Sequence, residues 1–367
     1  MKIPKTLLTV NSFILFTFIA PITYMLWRFV NFSRSISSFF QSWNVFGLMF
    51  NTISVFFAVV FTSVLVGLLI SIVTVRFEFK GSKILFTLCV LPLVIPSYIG
   101  ALTYISAFSP KGLFVQIFNR YGIEEIAGIE GFLGSWLVLT LFTYPYVQLI
   151  CSSALRNLDS TVEDAARSLG VNQFKVYTSV VIPRLKKPII YSSLLVGLYV
   201  ISDFGAVSLM RYSTVTKAIY AYYELSILSD PVIFYSSLLI VLALLISFIQ
   251  RGSATSRSAK VSGTPRIPKK VRLERNGKVL VYSFLGGIIF LGLIIPVAVL
   301  GFWLFRGLYY GTDLTSSIPG ILGSFSASIV TSILAIVISM PIVILISQYK
   351  SRFCLLYTSD AADEWLR

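Results

Sequence analysis

Long charge-free runs of apolar residues constrain this chain more than any single residue does. They measure roughly 18 to 26 residues, the length a helix needs to cross a hydrocarbon core. Inside such a core each backbone N–H and C=O must find its partner within the segment, so the runs read as spanning helices. Composition agrees. Hydrophobic residues make up 56% of the chain and charged ones 12%, with a mean hydropathy of +0.86, whereas a soluble domain carries about 25% charged residues. The expected fold class is an all-α polytopic membrane protein.

Eight spans are expected, at Thr6–Trp27, Asn51–Val75, Ile84–Phe108, Phe132–Leu155, Pro188–Met210, Val232–Ile249, Val279–Leu304 and Phe325–Ser347. The first follows Lys2 and Lys5 as a signal peptide would. However, its apolar run is too long for an h-region and no small-x-small cleavage site follows, so it reads as a retained helix. Counted over alternate loops, the basic residues fall roughly threefold in favour of the N-terminal side, which places the N-terminus in the cytoplasm. The formal charge of +15 is accordingly read as loop bias and attraction to the lipid bilayer, not as nucleic-acid binding.

Residues 109–131 form an outer loop carrying Glu124, Glu125 and Glu130, while 251–278 are Ser-, Pro- and base-rich and read as a cytoplasmic linker. Residues 51–75 echo 324–348 in length and small-residue spacing, which suggests a duplicated module of about six helices. The expected division is a first repeat over 1–250, a linker over 251–278 and the start of a second repeat over 279–353.

Several chemistries are excluded. The chain has no histidine, which removes His-ligated metals and every Ser-His-Asp arrangement. Cys89, Cys151 and Cys354 form no CxxC pattern, so neither a disulfide framework nor a zinc site is indicated. No phosphate-binding G-x-x-x-x-G-K-[ST] loop exists. No catalytic residue, metal site or bound cofactor is therefore expected in this chain, and any ATP would be bound by another.

The loop 158–188, LDSTVEDAARSLGVNQFKVYTSVVIPRLKKP, is the informative one. Ser160 followed by Glu163 reads as a capping box opening a short helix through Leu169. Gly170 stands where a left-handed C-terminal cap is needed. Asn172 can cap a second helix with a largely apolar face of Phe174, Tyr177, Val180 and Val181, which Pro183 is expected to stop. Ala165 and Ala166 leave little bulk on the first helix, so another surface can approach it closely.

Asp164-Ala165-Ala166, then Gly170, then Val180-x-Ile182-Pro183, resembles the "EAA" loop of importer-type ABC-transporter membrane subunits. Asp164 stands for the usual glutamate, Val180 for Ile and Ile182 for Leu, and Glu163 adds a second acid. In that family the loop forms coupling helices that dock in a groove of a cytoplasmic ATPase. The resemblance implies a bacterial inner-membrane permease module with ATPase partners, two copies in all, which carry ATP and Mg. It also implies an extracytoplasmic substrate-binding protein. The expected coupling residues are Glu163, Asp164, Ala165, Ala166, Gly170, Val180, Ile182 and Pro183, with a negative charge of Glu163 turned to the partner.

LPLVIPSYIGALTYI (91–105) and ISDFGAVSLMRYSTVTKAIY (201–220) further resemble the fused two-repeat ferric-iron permeases, whose relatives handle thiamine, polyamines, sulfate and aminoethylphosphonate. An ion-coupled secondary transporter is the alternative of a different class; it calls for more buried charge than one carboxylate. That carboxylate is Asp203, inside the fifth span, a candidate for a pathway or gating role or for packing. Pro92 and Pro96 are expected to break the third span and Pro145 the fourth, as in cavity-lining helices or as packing kinks. Tyr98, Tyr104, Tyr144, Tyr146 and Tyr199 offer phenol oxygens but read first as packing. Finally, residues 354–364 resemble a translated sequencing adapter, so 354–367 read as a non-native tail after a truncated second repeat.

Overall fold

A computed structural model describes residues 4–31, 44–109, 112–119, 128–158, 161–225, 230–254, 270–311 and 315–348. Glu124, Glu125, Ser160, the linker centre 255–269 and the tail from 349 onward lie outside the described residues. The structure is helical, with a single two-stranded pairing among the described residues. Six helices are long and apolar enough to span, or up to eight if each of two bent pairs counts as one.

The chain forms two compact units. In the first, α1 (Lys5–Val30) meets α16 (Ile318–Gln348), and Asn11 Nδ2 donates to Pro341 O at 3.3 Å. Among the described side chains neither helix buries a residue fully, which suits apolar surfaces that face lipid.

The second unit is built around α2 (Val45–Arg76) and α6 (Gly131–Arg156). Ser63, Gly67 and Ser71 recur every fourth residue and so lie along one face of α2. Small residues there let two membrane helices approach closely. Ser63 Oγ lies 3.0 Å from Thr143 Oγ1 and Thr62 Oγ1 lies 2.9 Å from Thr140 Oγ1. Ser71 Oγ donates to Gln148 O at 3.0 Å and receives a bond from Ser152 Oγ at 3.0 Å. A Cβ on Gly67 would stand 2.6 Å from Val147 Cβ, so the glycine itself sets the spacing. Val55, Val59, Leu139, Val147, Val196 and Val200 fill the core on either side.

The third expected span is interrupted as Pro92 and Pro96 require: α3 (Ser82–Val90), a 3₁₀ turn Leu91–Val94, then α4 (Ser97–Phe108). A short α5 (Leu113–Asn119) follows. The fourth span departs from expectation, because α6 runs unbroken through Pro145. That proline is buried among packed neighbours, and the rest of the hydrogen-bond ladder holds the helix together across the missing N–H.

The coupling segment comprises α7 (Thr161–Ser168), α8 (Gln173–Val176), a π turn Tyr177–Val181 and α9 (Ile182–Arg184). The fifth expected span divides into α10 (Lys186–Ser202) and α11 (Gly205–Leu209), broken at Asp203–Phe204. Then come α12 (Val215–Leu225) and α13 (Asp230–Ala254). The last stretch of the unit is α14 (Arg275–Ile289), a π turn Phe290–Ile294 and, as far as Trp303, α15 (Ile295–Tyr309). Two short strands, β1 (Phe77–Glu78) and β2 (Val271–Arg272), pair in parallel with Phe77 opposite Val271 and Glu78 opposite Arg272.

Candidate coupling surface and broken-helix junction

The first helix of the loop, α7, ends as its glycine demands. Gly170 has φ 76°, and Val171 N–H reaches back to Ala166 O at 3.2 Å, which is the six-to-one bond of a Schellman cap. Asp164, Ala165, Ser168, Leu169 and Gly170 are exposed and Ala166 is half-buried. Leu169 is 83% exposed. The helix therefore presents a low, partly apolar ridge with a carboxylate at its start.

Glu163 departs from the outward orientation expected of it. Its side chain is 1% exposed, and Oε1 lies 2.7 Å from Nη2 of Arg76, itself 2% exposed, at the C-terminal end of α2. An acidic residue in a first helical turn faces whichever cation is in reach. Here that cation is inside the protein.

The second half of the loop is tied down by apolar contact. Tyr177, Val181 and Leu185 are buried with Leu155, and Leu68, Ile72, Val75, Phe77 and Ile189 close around them. Val180 and Ile182 are half-buried and Pro183 is exposed. Phe174's side chain lies outside those described. Pro183 does not stop the helix. It lies in α9, which continues the π turn without a break, and the chain turns instead at Leu185. The segment Tyr177–Arg184 meets Lys186–Ser202 at 62°.

A second polar group forms where two broken helices meet. Ser97, the first residue of α4 after Pro96, donates to Asp203 Oδ2 at 2.5 Å. Tyr199 donates its OH to Ser97 Oγ at 3.0 Å, and Asp203 Oδ1 accepts the Ala206 N–H at 2.9 Å. Thr216 Oγ1 donates to Asp203 O at 2.9 Å. The carboxylate thus supports the start of α11 and pins it to the break made by Pro96. Pro92 is buried on the opposite side of that break, and a Cβ on Gly292 of the π turn would stand 3.0 Å from Pro92 Cγ.

The tyrosines are largely occupied. Tyr104 donates to Leu291 O and Tyr144 to Cys89 O, each at 2.7 Å, while Tyr146 packs on Tyr199 at 6.1 Å between centroids. Cys89 and Cys151 are buried and free. Among the described residues no group of three or more His, Cys, Asp or Glu side chains is placed to hold a metal ion. Sequence reasoning missed Arg76 and Ser97; the position of Arg76 at the end of an apolar run was the one signal it offered.

The sequence profile of the binding-protein-dependent transport system inner membrane component matches residues 63–256, just over half of the chain and the whole of the coupling segment. The chain belongs to this family of importer membrane subunits. An Fe(3+)-transport system permease protein of Haemophilus influenzae is similar to this permease, 27% identical over 328 residues that cover 88% of the chain and 61% of the relative. The sulfate transport system permease protein of Escherichia coli is 28% identical over 155 residues, 42% of this chain and 54% of that one. A chloroplastic sulfate permease of Chlamydomonas reinhardtii is 28% identical over 159 residues, 43% of this chain and 42% of the relative. The permease chain thus spans about three fifths or less of the length of these relatives. A crystal structure of an amino acid ABC transporter with histidines superposes on 60% of the chain at 18% identity and a TM-score of 0.45, too loose to carry a conclusion.

Proposed function

We propose that this chain forms the translocation path of an ATP-driven importer and couples it to cytoplasmic ATPase partners, two in the complete assembly, which bind ATP and Mg. The observation that carries the reading is the ridge of exposed Asp164 and Ala165 with half-buried Ala166, ending in the Gly170 cap and fixed to the bundle on its other side. A docking helix needs both: small side chains so that a groove can close on it, and a rigid footing so that the closure moves the bundle. An extracytoplasmic binding protein delivers the substrate at the other end. The N-terminus lies in the cytoplasm of a bacterial inner membrane, on the charge bias of the loops. In this reading 1–250 form one permease repeat, 251–278 the linker and 279 onward the start of a second.

Ferric iron is the proposed substrate. Its support is the extent of the match: similarity to the Fe(3+) permease runs over 88% of the chain, whereas similarity to the sulfate permease of E. coli runs over 42%. The junction of Ser97, Asp203, Pro92 and Pro96 serves the path as a gate, since broken helices with polar side chains at the break line cavities in transporters.

The test is co-purification followed by stimulation. The tagged permease is expressed with the ATPase and binding protein encoded beside it, and ATP hydrolysis is measured in proteoliposomes. Hydrolysis that rises with iron-loaded binding protein and not with sulfate is the expected result. A permease that brings down no ATPase refutes the importer reading. Stimulation by sulfate alone refutes the iron assignment and leaves the importer standing.

A further inference from the structure

Arg76 stands where three pieces of chain converge. It closes α2, and its guanidinium holds Glu163 of the first coupling helix at 2.7 Å. The next residue, Phe77, packs its ring 6.1 Å from that of Tyr177 in the second half of the loop. Phe77 and Glu78 then pair with Val271 and Arg272, which lead into α14. Beside this pairing, Tyr282 of α14 donates to Lys80 O at 2.8 Å and meets the Phe79 ring edge-on. The coupling loop thus meets Arg76 and Phe77, β2 meets Phe77 and Glu78, and α14 meets Phe79 and Lys80, all within one short run of chain.

We propose that residues 76–78 are a relay: Arg76 takes up movement of the coupling loop through Glu163, and the β1–β2 pair passes it across the linker to α14. The source of the movement rests on the importer reading above, while the mechanical link is a property of this chain alone. The physical reason lies in the burial of the pair. Two charges taken out of water and held 2.7 Å apart are costly to part. Glu163 cannot slide past Arg76 when α7 shifts, so Arg76 must follow. An apolar contact of equal area would tolerate such sliding. The strand pair continues the connection because its backbone bonds are directional and Phe77 follows Arg76 without a joint. Arg76 and Glu163 act here as positioning residues.

The test reads the far end of the relay. The full chain is placed in lipid nanodiscs and amide hydrogen exchange is followed at Val271–Arg272, with the centre of α6 as reference. Glu163→Gln should speed exchange at Val271–Arg272 by about tenfold and leave α6 unchanged, because one partner of the buried pair is lost. The double variant Arg76→Met with Glu163→Leu removes both charges and keeps the fold, since well-packed apolar pairs replace buried ion pairs without loss. It should show the same fast exchange at Val271–Arg272. Wild-type exchange there in the double variant overturns the relay and leaves the pair a fold-stabilising clasp. Acceleration spread equally into α6 overturns it as well. With the partner ATPase added, substrate moved per ATP should fall about fivefold in the double variant while the complex still assembles. If the wild-type chain binds no ATPase, the importer reading fails and the exchange result still decides the relay.

Discussion

Gly67 sets the distance between the two central helices, and adding one methyl group tests that geometry. In Gly67→Ala the new Cβ would stand 2.6 Å from Val147 Cβ, 2.8 Å from Tyr144 O and 2.9 Å from Gln148 N. Carbon atoms rest about 3.5–4.0 Å apart, so α2 and α6 must separate by roughly 1 Å. These atoms are backbone and a β-branched carbon, which cannot swing aside. Separation on that scale also lengthens the Ser71–Gln148, Ser152–Ser71 and Ser63–Thr143 bonds, all now at 3.0 Å. Overpacking costs about 1–3 kcal/mol, and interhelical bonds in bilayers add about 0.6 kcal/mol each. Against this, alanine is a better helix former than glycine by up to about 1 kcal/mol. The net expectation is destabilisation by about 1–3 kcal/mol. Gly286→Ala is the control: nothing lies within 4 Å of its Cβ, so only the helix-forming gain remains. Reversible unfolding in mixed micelles measures both. Gly67→Ala as stable as Gly286→Ala would refute the close approach.

Three further outcomes are expected. Gly170→Arg meets open space but keeps φ positive, so it should cost about 1 kcal/mol, insert normally and lower uptake relative to ATP hydrolysis; wild-type uptake and hydrolysis in proteoliposomes would count against the cap's role. Asp203→Ala leaves the Ala206 N–H without its acceptor, at a cost of about 1 kcal/mol, and should abolish uptake; Asp203→Asn keeps an acceptor, and full transport by it would show that the charge is not needed at the gate. Arg211 sits at φ 55° in a Schellman turn closed by Tyr212 N–H to Val207 O, so Arg211→Gly should exceed Arg211→Ala in unfolding stability by about 1 kcal/mol.

The spanning helices were legible because membrane insertion depends on apolar length, a property each segment carries by itself. All eight expected spans coincide with helices, the third and fifth as broken ones. The Gly170 cap was legible for a similar reason: a left-handed residue after a short helix leaves a local signature. The inward turn of Glu163 was not. Its partner lies 87 residues away on another helix, and no local pattern distinguishes an acid facing an ATPase from one facing a buried arginine. Prolines were half legible. A ring removes one donor wherever it stands, but whether the helix breaks depends on neighbours. Pro96 stands at the N-cap of α4, Pro145 is carried inside α6, and Pro183 is carried between the π turn and the bend at Leu185.

Those neighbours also bear on the proposal that the break over 91–96 works as a gate. A kink made for packing needs only apolar contact on its convex side. The interruption over 91–96 instead draws polar groups from three other elements. Tyr144 of α6 caps the Cys89 carbonyl, Asp203 and Tyr199 hold Ser97, and the second half of the broken span sends Tyr104 to the carbonyl of Leu291 in the π turn. Each bond satisfies a group that would be costly if left bare in a bilayer. Each also ties the break to a different helix, so moving one helix exchanges polar partners here before it disturbs the apolar core. The gate proposed above requires such an arrangement, in which no single bond is given up alone.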